Sequence, residues 1–286
     1  MVVVQLVQWL MSTGRLFYSG VGVALLVLLL VYVLFQKTKN AETPSEKDET
    51  NTDVDMCEEE VDNDVMDVEH IPFVHNRISE AEMKAKSKDF FTLMNKRRSV
   101  RFFSEENVQP EIIEELIRTA GTSPSGAHKQ PWTFVVVKDK TYKMKIREIV
   151  EKEEEINYSR RMGTQWVEDL RPIKTTWAKP YLETAPYLIL VFKQTYGIGP
   201  NGERLVHYYH EISCSIACGF LLAAIHYSGL VTVTHTPLNA GQALKELLGR
   251  PVNEKLLLLL PVGYPAKDAT VPDFQRKPLE QIMIWK

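Results

Sequence analysis

Four short apolar runs, separated by helix-period segments, place this chain by pattern alone in the α/β class with a doubly wound sheet. The runs are Trp132–Lys138, Pro186–Phe192, Leu230–Thr234 and Lys255–Val262. Two further observations set the frame. The 286 residues suffice for one large domain plus appendages, and the charge is unevenly spread. Positions 40–70 carry thirteen Asp and Glu against the single Lys47, leaving 24 acidic and 30 basic residues beyond them. The part that folds is therefore about +6, although the whole chain is −3. Such an excess suits a small anionic ligand. It is too small for nucleic acid, and no basic stripe with interleaved aromatics accompanies it.

The chain divides into four parts. Residues 1–15 form a short leading segment. Leu16 to Phe35 is an almost unbroken apolar run, and about twenty residues at helical rise span a bilayer core. A cleaved signal peptide would be shorter and end in a small-residue cleavage site, which Gln36-Lys37-Thr38-Lys39 does not offer. The reading is one transmembrane helix over 16–35. Lys37 and Lys39 follow the span while only Arg15 precedes it, which tilts the C-terminal side toward the cytoplasm. Residues 36–70 are acidic and poor in aromatics, as expected of a disordered tether. The remainder, 71–286, is the folded domain.

Within that domain Ser79-Glu80-Ala81-Glu82 reads as a capping box opening a helix through about Asn95. Pro110 starts a second helix, with Ile112, Ile113, Leu116 and Ile117 on one face and Gly121 at its end. After the strand at Trp132 a charged helix runs from about Thr141 to Arg160. Val206–Ser228 reads as a long helix, apolar nearly all round, and such helices are buried in a core or between subunits. Ala240–Leu248 is the last helix. The closing segment Pro278–Lys286 reads as an extended arm reaching a neighbour.

Chemistry concentrates in a few stretches. Arg97-Arg98-Ser99-Val100-Arg101 packs three guanidiniums and a hydroxyl into five residues, and Arg forks match phosphate oxygens; a helix C-terminus alone would also favour such cations. Ser123-Pro124-Ser125-Gly126-Ala127-His128 is a turn that lets backbone approach a flat ligand. Gly197-Ile198-Gly199-Pro200-Asn201-Gly202 matches the dinucleotide fingerprint, but four residues separate its first Gly from the strand, and Asn201-Gly202 favours a hairpin turn. His207 and His210 stand one helical turn apart without a third ligand at suitable spacing, so no metal is assigned. Cys57, Cys214 and Cys218 form no paired framework. Asn157-Tyr158-Ser159 is a glycosylation sequon that matters only if the domain is lumenal. Glu154 and Tyr158 share a helix face, with Lys179 beyond. Together they can clamp the two charges of a free amino acid, although a solvated acidic face explains Glu151 to Glu155 equally.

These stretches, in this order, with Thr234-His235-Thr236-Pro237-Leu238-Asn239 and Val262-Gly263-Tyr264-Pro265, resemble the FMN-dependent nitroreductase superfamily. The N-terminal span and the Glu151–Tyr158 segment are similar to its membrane-anchored members that dehalogenate iodinated tyrosine. The resemblance implies a mixed α+β fold rather than a doubly wound one, dimeric, with FMN at the subunit interface. It implies that Arg97, Ser99 and Arg276 hold the FMN phosphate, and that Arg98 and Arg101, within the segment containing Val100, reach the ribityl chain and ring edge. Pro124 and Ser125 would lie against the isoalloxazine. Thr234, His235 and Thr236 would lie along it, with the Thr236 hydroxyl donating to N5 as the catalytic contact. His235 stands where relatives often carry a smaller hydroxyl residue.

For the substrate, the resemblance implies that the Ala127 amide meets the phenolate and that Glu154, Tyr158 and Lys179 bind the zwitterion, under a mobile lid spanning Arg160–Lys179. The implied activity is reductive dehalogenation of mono- and diiodotyrosine to tyrosine and iodide. Electrons would come ultimately from NADPH through a separate reductase, at plasma-membrane and vesicle membranes. Three alternatives stay open on the residues alone: a general FMN nitro- or quinone-reductase, a Rossmann-type membrane dehydrogenase resting only on Gly197–Gly202, and a non-catalytic flavin-binding sensor at a membrane.

Overall fold

The computed structural model describes residues 68–286; the span at 16–35 and most of the tether lie outside the described residues. Among those described, no helix is long and apolar enough to cross a membrane. Helix α1 (Glu80–Asn95) opens as its capping sequence requires, with the Ser79 hydroxyl accepting from the Glu82 amide. Helix α2 (Pro110–Gly121) has proline at its first position, where the missing N–H costs nothing.

Strand β1 (Trp132–Val137) leads to α3 (Lys140–Ile156), capped by the Asp139 carboxylate on the Tyr142 amide. The expected helix to Arg160 instead ends in a π-helical turn, Asn157–Arg161, with the Met162 amide donating to the Asn157 carbonyl five residues back. Short helices α4 (Thr164–Leu170) and α5 (Tyr181–Thr184) precede β2 (Tyr187–Gln194). Next comes the hairpin β3 (Tyr196–Ile198) and β4 (Arg204–Val206), then α6 (His210–Tyr227), β5 (Val231–Thr232), α7 (Gly241–Leu247) and β6 (Glu254–Gly263).

The main sheet has the order β1-β2-β6-β5, every named pairing antiparallel. A parallel bridge, Ser99 to Thr232, adds the segment after α1 to its edge. The doubly wound expectation from pattern is thereby corrected. β2 is buried through Phe192 because helices cover both of its faces. Leu188, Leu190 and Phe192 meet Ile146 and Val150 of α3 and Leu244 of α7. Tyr187, Ile189 and Val191 meet Ile113 and Leu116 of α2 and Leu221 and Ile225 of α6. A strand buried on both sides reads as a continuous apolar run, which is also the signature of a parallel sheet.

Two other expectations shift. The long helix begins at His210 rather than Val206, because Arg204–Val206 pairs with Tyr196–Ile198. That hairpin turns through Gly199–Glu203, with Gly202 at φ +83°, so the glycine-rich stretch is a turn and not a dinucleotide loop. The closing arm contains a 3-10 turn at Leu279–Gln281 before its exposed end.

Leu190 is wholly buried whereas Val136, on the neighbouring strand, is 41% exposed. Leu190→Ala is expected to cost about 2–5 kcal/mol and Val136→Ala under about 0.5 kcal/mol, read by urea unfolding at neutral pH. Equal costs would place the core elsewhere.

Candidate active site

Two adjoining cavities lie beside the β5 edge of the sheet, both lined by Arg101 and Ile173. The first, about 190 Å³, is lined by Arg97, Arg98, Ser99, Arg101 and Arg276 among others. Its backbone is fixed by the Ser99–Thr232 bridge and by the Val100 amide donating to the Thr232 carbonyl at 3.0 Å. The Val100 side chain is buried and does not line this cavity; it pegs the segment while its neighbours face the opening. Arg276 donates through Nη2 to the Arg97 carbonyl at 2.8 Å, which tethers the C-terminal segment to the cluster. Burial and the nearby Arg276 and Arg98 charges hold Arg97 below its ordinary pKa. Among the described residues no ion pair joins these guanidiniums to a carboxylate. Like charges gathered without a counter-charge form a site for an anion.

The second cavity, about 150 Å³, holds Glu154, Tyr158 and Lys179 on one side and Thr234, His235 and Thr236 on the other. Lys179 and Glu154 form an ion pair at 3.7 Å with side-chain exposures of 3% and 11%. The Lys179 ammonium also donates to Thr175 Oγ1 at 3.2 Å and to the Thr176 carbonyl, and it stands 5.6 Å from the Tyr158 ring centre. Burial pushes the Lys179 pKa down despite Glu154, and burial pushes the Tyr158 phenol up despite its hydrogen bond with Thr175. The segment expected to be a polar lid is helical in part. Trp166 and Leu170 of α4, with Ile173, wall the cavity.

Alternation along Val233–Pro237 decides what the threonines do. Val233, His235 and Pro237 are buried, while Thr234 and Thr236 are exposed toward the cavity they line. The His235 backbone pairs both ways with Leu259 at 2.9 Å. Its imidazole turns inward to Tyr181, Oη to Nε2 at 2.6 Å. The side chain is therefore committed to the core, leaving the threonines to present hydroxyls. Tyr181 was not found by sequence reading; nothing but its partner distinguishes it from an ordinary core aromatic.

Pro124, Ser125 and Ala127 line neither cavity. Their loop is held at the start of α6, where the Gly126 amide donates to Ser213 Oγ at 3.4 Å. A Cβ on Gly126 would lie 2.9 Å from the Tyr208 carbonyl oxygen, so only glycine fits there. Ala127, His128 and Gln130 all adopt left-handed φ, +46°, +54° and +47°. Each such residue costs on the order of 1–3 kcal/mol, and strain of this kind collects at functional sites.

A mixed sheet with helices on both faces and a guanidinium cluster at its edge define a class that comparison identifies. The chain belongs to the nitroreductase family, whose model matches residues 94–264. It is 54% identical to iodotyrosine deiodinase 1 of Homo sapiens over 289 aligned positions, covering 94% of this chain and 99% of that protein. It is 55% identical to the iodotyrosine deiodinase of Hydra vulgaris, over 93% of this chain and 97% of that one. Among solved structures it is similar to an oxidized iodotyrosine deiodinase bound to FMN and 3-iodo-L-tyrosine. That match has a TM-score of 0.58 and 32% identity, covering 66% of this chain and 96% of the other.

His235 carries a pH consequence. Burial, with Lys179 and Arg101 nearby, pushes its pKa down to about 3. The folded protein thus keeps it neutral where the unfolded chain takes a proton below about pH 6.5. Its contribution to stability is full above that pH and falls by up to about 1.4 kcal/mol per pH unit as pH drops toward 3. His235→Gln is expected to flatten the decline between pH 6.5 and 4.5 by that slope in urea unfolding at several pH values. Parallel curves for the two proteins would mean that His235 accepts a proton in the folded state.

Proposed function

We propose that this chain is a membrane-anchored, homodimeric flavoenzyme that reductively deiodinates mono- and diiodotyrosine, releasing tyrosine and iodide for reuse in thyroid hormone synthesis. The observation that carries the reading is the buried Glu154–Lys179–Tyr158 group opening onto the cavity that Thr236 lines, beside the unpaired guanidiniums. The cluster fits FMN, because a phosphate offsets the burial and the Arg276 and Arg98 repulsion that together lower the Arg97 pKa. Arg97, Ser99 and Arg276 would hold that phosphate, Arg98 and Arg101 the ribityl chain, and Thr234 and Thr236 the ring edge, with Thr236 the catalytic donor.

Bound FMN supplies the reducing electrons, which come ultimately from NADPH through a separate reductase. The net change at the substrate is two electrons and one proton in, with the carbon–iodine bond replaced by carbon–hydrogen and iodide leaving. The residues supply placement. Glu154 accepts the substrate ammonium, while Lys179 and the Tyr158 hydroxyl take its carboxylate. Inserting a zwitterion into the Glu154–Lys179 pair satisfies both charges without exposing either to water. The helical walls at Trp166 and Leu170 exclude solvent from the ring. The Ala127 amide binds the phenolate, which favours iodinated over plain tyrosine, since the halogen acidifies the phenol.

Three observations support the dimer with FMN at its interface. Pro124, Ser125 and Ala127 lie off both cavities, so a second copy would bring them to the ring. Ile212, Ile216 and Phe220 leave an apolar stripe of α6 exposed, and Ile282–Trp285 ends in exposed apolar side chains. The anchor at 16–35 rests on its apolar run. Cytoplasmic placement of the domain has further support in Asn157, whose side chain is buried inside its sequon; a glycan there would break the site.

A chain beginning at residue 41 is expected to elute as a yellow dimer and to release iodide from diiodotyrosine under dithionite. Reduction of nitroaromatics without any iodide release would favour the general reductase. Arg276→Ala is expected to weaken FMN retention by about 1.5–3 kcal/mol, the range for a hydrogen bond to a charged group; unchanged affinity refutes the phosphate role. Glu154→Gln is expected to spare FMN and to weaken diiodotyrosine binding by about 2–5 kcal/mol. Titration calorimetry on the flavin-loaded protein reads it, and an unchanged constant refutes the clamp role and leaves the Glu154–Lys179 pair purely structural.

A further inference from the structure

Asn157 is 1% exposed and lies between Glu154 and Tyr158 in sequence, yet it does not line the cavity those two residues line. It opens the π-helical turn that ends α3. Such turns carry one residue more than an α-helix and re-aim side chains, often at functional sites. Here the turn sends the Asn157 amide away from the clamp and onto the neighbouring loop. Its Nδ2 donates to the Leu238 carbonyl at 3.3 Å, and its Oδ1 accepts from Asn239 Nδ2 at 3.3 Å. Arg161 Nη1 donates to the same oxygen at 3.1 Å and to Glu153 Oε2 at 2.7 Å. Leu238 itself lines the cavity, two residues beyond Thr236. Asn239 is left-handed at φ +66°, a conformation asparagine tolerates better than most residues.

We infer that Asn157 is a positioning residue that locks the substrate clamp to the Thr236 loop, so that substrate held by Glu154, Tyr158 and Lys179 stands in fixed register with Thr236. This rests on the proposed deiodination. The chemistry of the amide makes the assignment specific. Asparagine offers the donor for the Leu238 carbonyl and the acceptor for Asn239 and Arg161 on two separate atoms, where a serine or threonine hydroxyl has a single oxygen for both. Aspartate keeps the acceptor but sets a negative oxygen against a carbonyl oxygen. Because the strut joins two walls of one cavity, its loss displaces the clamp while leaving the guanidiniums of Arg97, Arg98, Arg101 and Arg276 in place.

The test uses the full-length flavin-loaded protein with diiodotyrosine as probe, comparing Asn157→Asp, Asn239→Gly and the parent. Asn239→Gly removes the loop's side-chain donor to Asn157 Oδ1 while keeping the left-handed backbone free of strain. Both variants are expected to retain FMN as the parent does and to bind diiodotyrosine roughly tenfold more weakly. Protection of Arg160, Arg161 and Lys174 from trypsin is expected to need correspondingly more ligand. In a cycle with Glu154→Gln, the double variant with Asn157→Asp is expected to bind no worse than Glu154→Gln alone, since both act through one clamp. Additive losses, loss of FMN in step with melting temperature, or parental affinity in both variants each overturn the inference. A parent that neither binds nor deiodinates diiodotyrosine overturns the functional reading instead, so the two failures are distinct.

Discussion

Burial of β2 on both faces is the constraint from which the rest of the molecule follows. Six consecutive residues, Tyr187–Phe192, have no contact with solvent that matters, and their alternation divides the interior into two cores. One core seats α3 and α7, the other α2 and α6. The site is a consequence of that division. Glu154 extends from the end of α3, and Thr234–Thr236 follows β5 at the sheet edge, its position fixed by the His235–Leu259 pairing to β6. The guanidinium segment is added to the same edge through Ser99 and Thr232. Residues as distant in sequence as Arg101, Glu154 and Thr236 therefore meet because one strand cannot be exposed on either side. At roughly 25 cal/mol per Å² of apolar area, no single polar contact in the site competes with that preference.

Much of the fold was legible because local chemistry and tertiary context agree. The Ser79 cap, Pro110 at the start of α2, and the turn at Asn201-Gly202 each act through the nearest backbone, so the sequence alone locates them. What misled was the same burial that organises the fold. Tyr187–Phe192 reads as a parallel strand because both faces are apolar, and periodicity carries no record of the direction of a neighbour. The start of α6 failed for a different reason. Arg204–Val206 has helix-compatible side chains, and only pairing with Tyr196–Ile198, a contact outside its own window, makes it a strand.

The site divides in the same way. Arg97, Arg98, Arg101, Glu154 and Lys179 stand out by charge, and charge is visible without coordinates. Tyr181 and Asn157 do not. One is a core aromatic until its hydroxyl meets His235, and the other is a sequon until its amide meets Leu238. His235 shows how electrostatics then sort the roles. Burial first, and then the nearby Lys179 and Arg101, suppress a third cation, so the imidazole stays neutral and turns to a phenol. At Lys179 burial pushes the pKa down and Glu154 opposes part of that push.

The strained Ala127 loop closes the argument about assembly. Three left-handed non-glycine residues within four positions represent several kcal/mol held in one turn, on the order given for such conformers. A fold keeps such a cost only where surrounding contacts fix it, and here they do: Ser213 holds the Gly126 amide, and the Tyr208 carbonyl forbids a side chain on Gly126. Yet among the described residues Ala127 lines neither of the chain's two site cavities. The loop instead adjoins the start of α6, whose Ile212, Ile216 and Phe220 stripe is the apolar surface a second copy would cover. Strain, a loop off both site cavities and an apolar stripe on one side of the molecule have a common explanation in the proposed dimer. One chain would supply the guanidiniums, the clamp and the threonines, and its partner the loop that meets the phenolate.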